Sequence, residues 1–336
     1  MTQVDPTAGS AAGSAVGPGA GSALFAATVG LAGNAPPRAG AWRLFRDNPV
    51  SVAAALVLLV VLVVGLVGRW VAPYGINAVD VANALQPPSG AHWFGTDDLG
   101  RDVFSRVLVA TQVSLRVAFV SVAFALVVGV GVGVVAGYRG GWLDTVLMRV
   151  VDVMFAFPVL LLALAIIAVL GPGTTTTILA IGIVYTPIFA RVARASALSV
   201  RVEPFVQVSQ TMGTPSGYIL RRHVLPGVSG PVIVQTSLSV AFAILSEAAL
   251  SFLGLGVQPP EPSWGRMLFD AQGFLGLAWW MSVFPGLAIF VSVLAFNLIG
   301  DGIRDVLDPR QRTLLQARRS TRVPGRRRAA RTGGAA

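Results

Sequence analysis

Residues 203–226 read EPFVQVSQTMGTPSGYILRRHVLP, a polar, arginine-bearing stretch between two long apolar runs. Its local signals describe two short helices joined at a glycine. Pro204 suits the first turn of a helix, where its missing N–H has no partner to lose. Gly213 falls where a helix ends in a left-handed turn. Thr214-Pro215 restarts a helix as an N-cap followed by proline. Pro226 is expected to stop that second helix, just before the chain turns apolar again. Beside membrane spans, such a unit is a docking surface that passes a push from a soluble partner into the spans.

Working outward, the flanking runs set the class. The chain has 336 residues, 54% of them hydrophobic and only 12% charged. Soluble domains carry about 25% charged residues, so this is an integral membrane protein. A bilayer core of ~30 Å needs about 20 apolar residues in helix. Six runs qualify: 49–70, 113–138, 143–170, 175–195, 227–253 and 275–299. The expected fold is therefore all-α, six transmembrane helices with a cytoplasmic two-helix loop. The expected organisation is a disordered cytoplasmic tail at 1–41, then a first helix and extracytoplasmic loop at 42–110. A five-helix core follows at 111–303 with the loop 203–226 inside it, and a basic cytoplasmic tail at 304–336.

Arginine placement sets the orientation. With the N-terminus inside, the inner segments hold Arg43, Arg46, Arg139, Arg194, Arg201, Arg221, Arg222, Arg304, Arg310 and Arg312. Both termini are expected in the cytoplasm of a bacterial cell. The arginine-rich C-terminal tail reads as a solvated segment near anionic lipid.

Composition also excludes chemistry. The formal charge is +10, yet the chain contains no lysine and no cysteine. A P-loop lysine, a Schiff-base lysine, a thiol nucleophile and thiolate metal sites are all ruled out. His92 and His223 are too few and too far apart in sequence to suggest a metal cluster. No catalytic role, cofactor, metal or nucleic-acid partner is expected.

Within the spans, Gly129, Gly133 and Gly137 repeat every four residues, the spacing that lets two helices approach closely. Pro158, Pro187 and Pro285 predict kinks. Asp152 and Glu247 are acidic groups at membrane depth, where ionisable residues face a pathway or a partner. Asp152 has Arg149 or Arg191 as a salt-bridge candidate. Glu247 has a hydrogen-bonding role in fixing the outer loop as its structural alternative. Asn297, with Thr236 and Ser239, is a weaker pathway candidate that also suits helix-to-helix bonding. In the outer loop, Thr96 is read as the N-cap of a short surface helix carrying Asp97, Asp98, Arg101 and Asp102. Those charges are either solvated or a contact for a delivered protein. Trp264, Trp279 and Trp280 read as interfacial anchors. His223 closes the second short helix, where it meets the last carbonyls or a partner.

Three stretches carry a family resemblance: HWFGTDDLGRDVFSR at 92–106, LRRHVLPG at 220–227, and EAALSFLGLGVQPPEPSWGRML at 247–268. The chain resembles the inner-membrane permease subunits of ATP-binding-cassette importers, specifically the C-type permease of the dipeptide, oligopeptide and nickel group. The resemblance covers residues 42–312. It implies one half of a translocation pathway built with a homologous permease. It also implies two cytoplasmic ATPases seated on the short helices, and an extracytoplasmic binding protein that delivers the solute. Gln207, Ser209, Gly213, Arg221, His223 and Pro226 then become the coupling residues. One departure stands out. The family loop opens with a glutamate and two alanines, where this chain has Gln207, Val208 and Ser209. Glutamine keeps the length and a hydrogen bond but loses the charge. The rival reading is an ion-coupled secondary transporter titrating Asp152 and Glu247.

Overall fold

The computed structural model describes Arg46 and residues 48–307. The tails expected at 1–41 and, beyond Leu307, within 304–336 lie outside these residues.

Long apolar runs become helices because a helix satisfies its own backbone polar groups. α1 (Pro49–Val71) opens on Asn48, whose side chain accepts from the Val50 N–H at 3.1 Å. α2 (Val103–Arg139) has 37 residues, ~55 Å of helix, and so extends well beyond a bilayer core. α3 (Gly141–Phe155) and α4 (Val159–Leu170) meet at a 92° bend. α5 is Thr174–Arg201, α6 is Pro204–Thr211 and α7 is Ser216–Ile219. α8 (Leu225–Phe252), α9 (Trp264–Ala271) and α10 (Trp280–Leu307) complete the order. Among the described residues, five elements are long and apolar enough to cross a membrane, and six do so if the bent pair is one span.

The expectation of a single helix over 143–170 is thus modified at Pro158. That residue closes the break between α3 and α4 and cannot donate to a continuing ladder. Pro187 and Pro285, by contrast, are absorbed within α5 and α10.

α2 and α5 pack along much of their length. The glycine repeat is the reason. A β-carbon at Gly129 would sit 2.6 Å from Phe189 Cβ, and one at Gly137 would sit 2.7 Å from the Arg194 carbonyl oxygen. Gly133 meets Ala190 and Ala193 in the same way. The seam is pinned beside α3 by a bidentate pair in which Arg194 Nε and Nη2 donate to Asp144 at 2.5 and 2.7 Å.

The bundle has two differently built ends. Residues 72–102 and 253–279 fold together into a cap over one end. Residues 202–224 form the loop at the other.

Candidate functional site

The loop end confirms part of its sequence reading. α6 begins at Pro204 and ends at Thr211. Gly213 has φ +75°, in the left-handed region. The Thr214 N–H donates to the Ser209 carbonyl at 3.1 Å, and the Gly213 N–H to that of Gln210 at 3.0 Å. This doubly bonded stop satisfies carbonyls that a helix end otherwise leaves orphaned.

Two details are corrected. The second helix is capped by Pro215, whose carbonyl accepts from Tyr218 and Ile219, and Thr214 provides no side-chain cap. Nor does Pro226 stop it. A π-helical turn, Leu220–Val224, carries the helix straight into α8, so that Ser216–Phe252 is one helical element of 37 residues. In this wider turn the Leu225 N–H bonds to the Leu220 carbonyl. The altered register accommodates a proline with no N–H to give.

The loop is keeled into the bundle by Val206, Ile219 and Val224, all buried. Gln210 Nε2 donates to the Tyr138 hydroxyl at 3.4 Å. The opposite side is apolar and open: Phe205, Val208 and Tyr218 are exposed, and Met212 is 79% exposed. Of these, Phe205, Met212 and Tyr218 were not singled out from the sequence, and Val208 was noted only as a departure from the family loop. For Phe205, Val208 and Met212 the signal was the spacing of apolar residues in 205–212 that the keel residue Val206 alone does not use. His223 lies against Phe205 (centroids 5.6 Å) and Tyr218 (6.3 Å), joining the two short helices. Gln207 is exposed and donates to the Val202 carbonyl at 3.2 Å. Ser209 bonds back to Phe205 at 2.8 Å. Arg221 and Arg222 are exposed with no ion pair among the described residues.

The cap differs from expectation. No surface helix starts at Thr96. Gly95 and Gly100 have positive φ, and the segment 97–100 turns back on itself. The helix begins at Val103, where Asp102 Oδ2 accepts from the Ser105 N–H at 2.7 Å. Asp102 Oδ1 lies 2.9 Å from His92 Nδ1. The charges are not solvated either. Asp97 is 4% exposed and accepts from Leu99 and Arg101 backbone N–H groups and from Arg101 Nε at 2.6 Å. Arg106, also 4% exposed, approaches Asp97 at 3.6 Å and Asp270 at 3.9 Å, and donates to the Ile76 carbonyl at 3.1 Å. Arg101 reaches Asp98 at 3.6 Å and Asp270 at 4.0 Å, while Arg266 pairs with Asp270 at 3.0 Å. Three arginines and three aspartates thus cancel in one cluster. Burial pushes the Asp270 carboxyl above the usual range, against the opposing pull of Arg266, Arg106 and Arg101.

Two of the three expected tryptophan anchors are buried posts. Trp264 sits in the core beneath the cap, and Trp280 Nε1 donates to the Thr96 carbonyl at 3.0 Å. Only Trp279 is exposed. Phe94 and Phe284 stack at 3.8 Å.

Glu247 is fully buried and clasps α8 to the cap. It accepts from Ser114 Oγ at 3.0 Å and Ser251 Oγ at 2.7 Å. Those hydroxyls accept in turn from the Trp264 and Val257 N–H groups. Asp152 pairs with Arg191 at 2.7 Å, both about half exposed, and the Arg191 guanidinium lies 4.0 Å over the Phe155 ring. Asn297 donates to Val293 in its own helix at 3.0 Å, and Thr236 and Ser239 also bond within theirs. Among the described residues none of these three makes a helix-to-helix bond.

The described residues thus form an all-helical membrane bundle with an external two-helix loop at one end and a cap at the other. The family described as binding-protein-dependent transport system inner membrane component matches residues 129–313. The N-terminal TM domain of oligopeptide transport permease C matches residues 37–88. The chain is 46% identical over 270 residues to the glutathione transport system permease protein GsiD of Escherichia coli O157:H7, covering 80% of this chain and 89% of that one. It is 41% identical over 273 residues to the dipeptide transport system permease protein DppC of Alkalihalophilus pseudofirmus, covering 81% and 90%. Among solved structures, an inward-facing MetNI methionine ABC transporter matches with TM-score 0.49 and 18% identity, over 58% of this chain and 93% of that one.

This chain belongs to the binding-protein-dependent transport permeases, of the oligopeptide permease C type. It is a multi-pass inner-membrane subunit of an ABC importer, non-catalytic itself, that works with ATPase and binding-protein partners.

Proposed function

We propose that this permease carries short peptides, and that residues 203–226 are where ATP hydrolysis is coupled to their movement. The peptide class rests on the relatives, named for glutathione and dipeptide transport. The coupling role rests on one observation above all: a rigidly terminated short helix and its C-cap that expose Phe205, Val208 and Met212 with no cover among the described residues. Exposed contiguous apolar surface marks an interaction site.

In this reading both termini and the loop end face the cytoplasm, and the cap faces outward. A homologous permease forms the other half of the pathway. Two ATPases seat the short helices, with Gln207, Ser209, Gly213, Arg221, His223 and Pro226 in or behind the contact. Gly213 fixes the angle between the helices. His223 holds them together through Phe205 and Tyr218. Arg221 and Arg222 offer unpaired positive charge to carboxylates on the ATPase. Asp152 has the exposure to meet the pathway. Glu247 serves it indirectly by holding the cap, and Asn297 by its place on α10. Of the residues read as binding-protein contacts, Asp98 is the most accessible of the acidic ones, while Asp97, Arg101 and Asp102 shape the surface from beneath.

Purification of the tagged protein from its native membrane in mild detergent tests the assembly. Recovery of a second permease and P-loop ATPases supports this reading. Recovery of the chain alone, where control complexes survive, sinks it. Uptake of labelled peptides by the recovered complex tests the substrate class.

A further inference from the structure

The cap end holds an open cavity that plays no part in coupling. Its volume is about 280 Å³, and Arg69, Asn77, Gln112, Arg116 and Glu261 line it over an apolar floor that includes Val109 and Val113. Pockets that hold small molecules run roughly 300–1,000 Å³, so this one suits a compact solute.

Its depth is given by α2. Arg116 and Arg139 are 23 residues apart on that helix, ~35 Å along its axis. If Arg139 marks one membrane face, Arg116 lies just past a ~30 Å hydrocarbon core, at the opposite water boundary. Gln112 is one turn further out on the same exposed stripe.

The charges are unbalanced. Arg116 Nη2 is 3.3 Å from Glu261, both about half exposed, and Thr174 Oγ1 lies 3.4 Å from the same carboxylate. Arg69 has no ion pair among the described residues. Two guanidiniums therefore face one carboxylate. Exposed pairs at such distances are weak, so a solute displaces one partner from the other at little cost.

We infer that this cavity is the first station of the solute on the permease. Arg69 and Arg116 hold the C-terminal carboxylate of a short peptide, Glu261 holds its α-ammonium, and the valines receive an apolar side chain. Guanidinium pairs match carboxylate geometry well. This rests on the peptide reading and on the outward placement of the cap.

The test is uptake of labelled dialanine by the whole importer in proteoliposomes, with its binding protein supplied. Arg69→Gln and Arg116→Gln are each expected to lower the initial rate about tenfold at equal protein in the membrane. The exchange R116E/E261R restores an ion pair but leaves the carboxylate and ammonium sites reversed, and it is expected to stay defective. Recovery of the wild-type rate by the exchange, or wild-type uptake by Arg69→Gln, overturns the inference. So does a defect that appears in vesicles containing phosphatidylglycerol but not in pure phosphatidylcholine, which assigns the arginines to lipid headgroups. A shifted midpoint for stimulation of ATP hydrolysis by the loaded binding protein assigns them to docking instead. No dialanine uptake by the unmodified complex overturns the peptide reading, and this one with it.

Discussion

The cap and the loop sit at opposite ends of one bundle and handle charge in opposite ways. The cap gathers Arg101, Arg106 and Arg266 around Asp97, Asp98 and Asp270 and pairs their charges internally. The loop leaves Arg221, Arg222 and an apolar face uncovered. A buried charge without a partner is far more costly than an exposed one. The cap therefore has its charge partners among the described residues, while the loop has a face left open for the partner proposed above. Damage to the cap should show as instability, and damage to the loop as lost transport in a sound protein.

The largest effect expected from that contrast is at Arg106. Arg106→Ala removes a buried guanidinium that Asp97, Asp270 and the Ile76 carbonyl share. Although Arg101 and Arg266 keep those aspartates paired, a loss on the order of 2–3 kcal/mol is expected. Arg221→Ala removes an exposed, unpaired charge and should change stability by less than about 0.5 kcal/mol. Thermal unfolding in detergent checks both, and equal shifts would erase the distinction. Gly213→Val comes next. A β-branched residue at φ +75° carries strain of about 1–3 kcal/mol, expressed locally because the loop is open. Transport should be abolished while the protein stays in the membrane at normal level; disappearance of the protein would count against a coupling role. Met212→Ser should leave unfolding unchanged but weaken ATPase binding roughly tenfold, from about 1.4 kcal/mol of lost apolar burial. Binding by detergent-solubilised permease would measure it, and unchanged affinity would take Met212 out of the interface. The smallest effect is at Gln207→Glu, an exposed site where one added charge is worth less than about 1 kcal/mol. A modest gain in ATPase affinity that fades with salt is expected, and a gain that ignores salt would contradict the electrostatic account.

Sequence reading succeeded where the deciding contacts were local. Pro204 and Gly213 mark a helix start and stop through bonds within a few residues, and the structure has both. The glycine repeat of α2 was equally legible, because spacing alone places it on one face. The reading failed where distant chain supplies the partner. Asp97, Asp98, Arg101 and Asp102 read as a surface helix, its charges solvated or meeting a delivered protein, because nothing local announces that Asp270 and Arg106 close around them. Trp264 and Trp280 looked like anchors because nothing near them in sequence announces Ser114 or Thr96. Pro226 failed differently. It is a true stop for a helix bonded i to i−4, and only the π-turn before it, invisible in composition, lets the chain continue.

That continuation makes Ser216–Phe252 a lever. It is 37 residues long, ~55 Å as helix. A tilt of ~5° about one end would sweep the other by roughly 5 Å by the same geometry. One end carries the surface proposed for the ATPase, and the other carries Glu247, fastened to Ser114 beneath the cap. A single helical element thus joins the place where force is proposed to act to the cap it would have to lift.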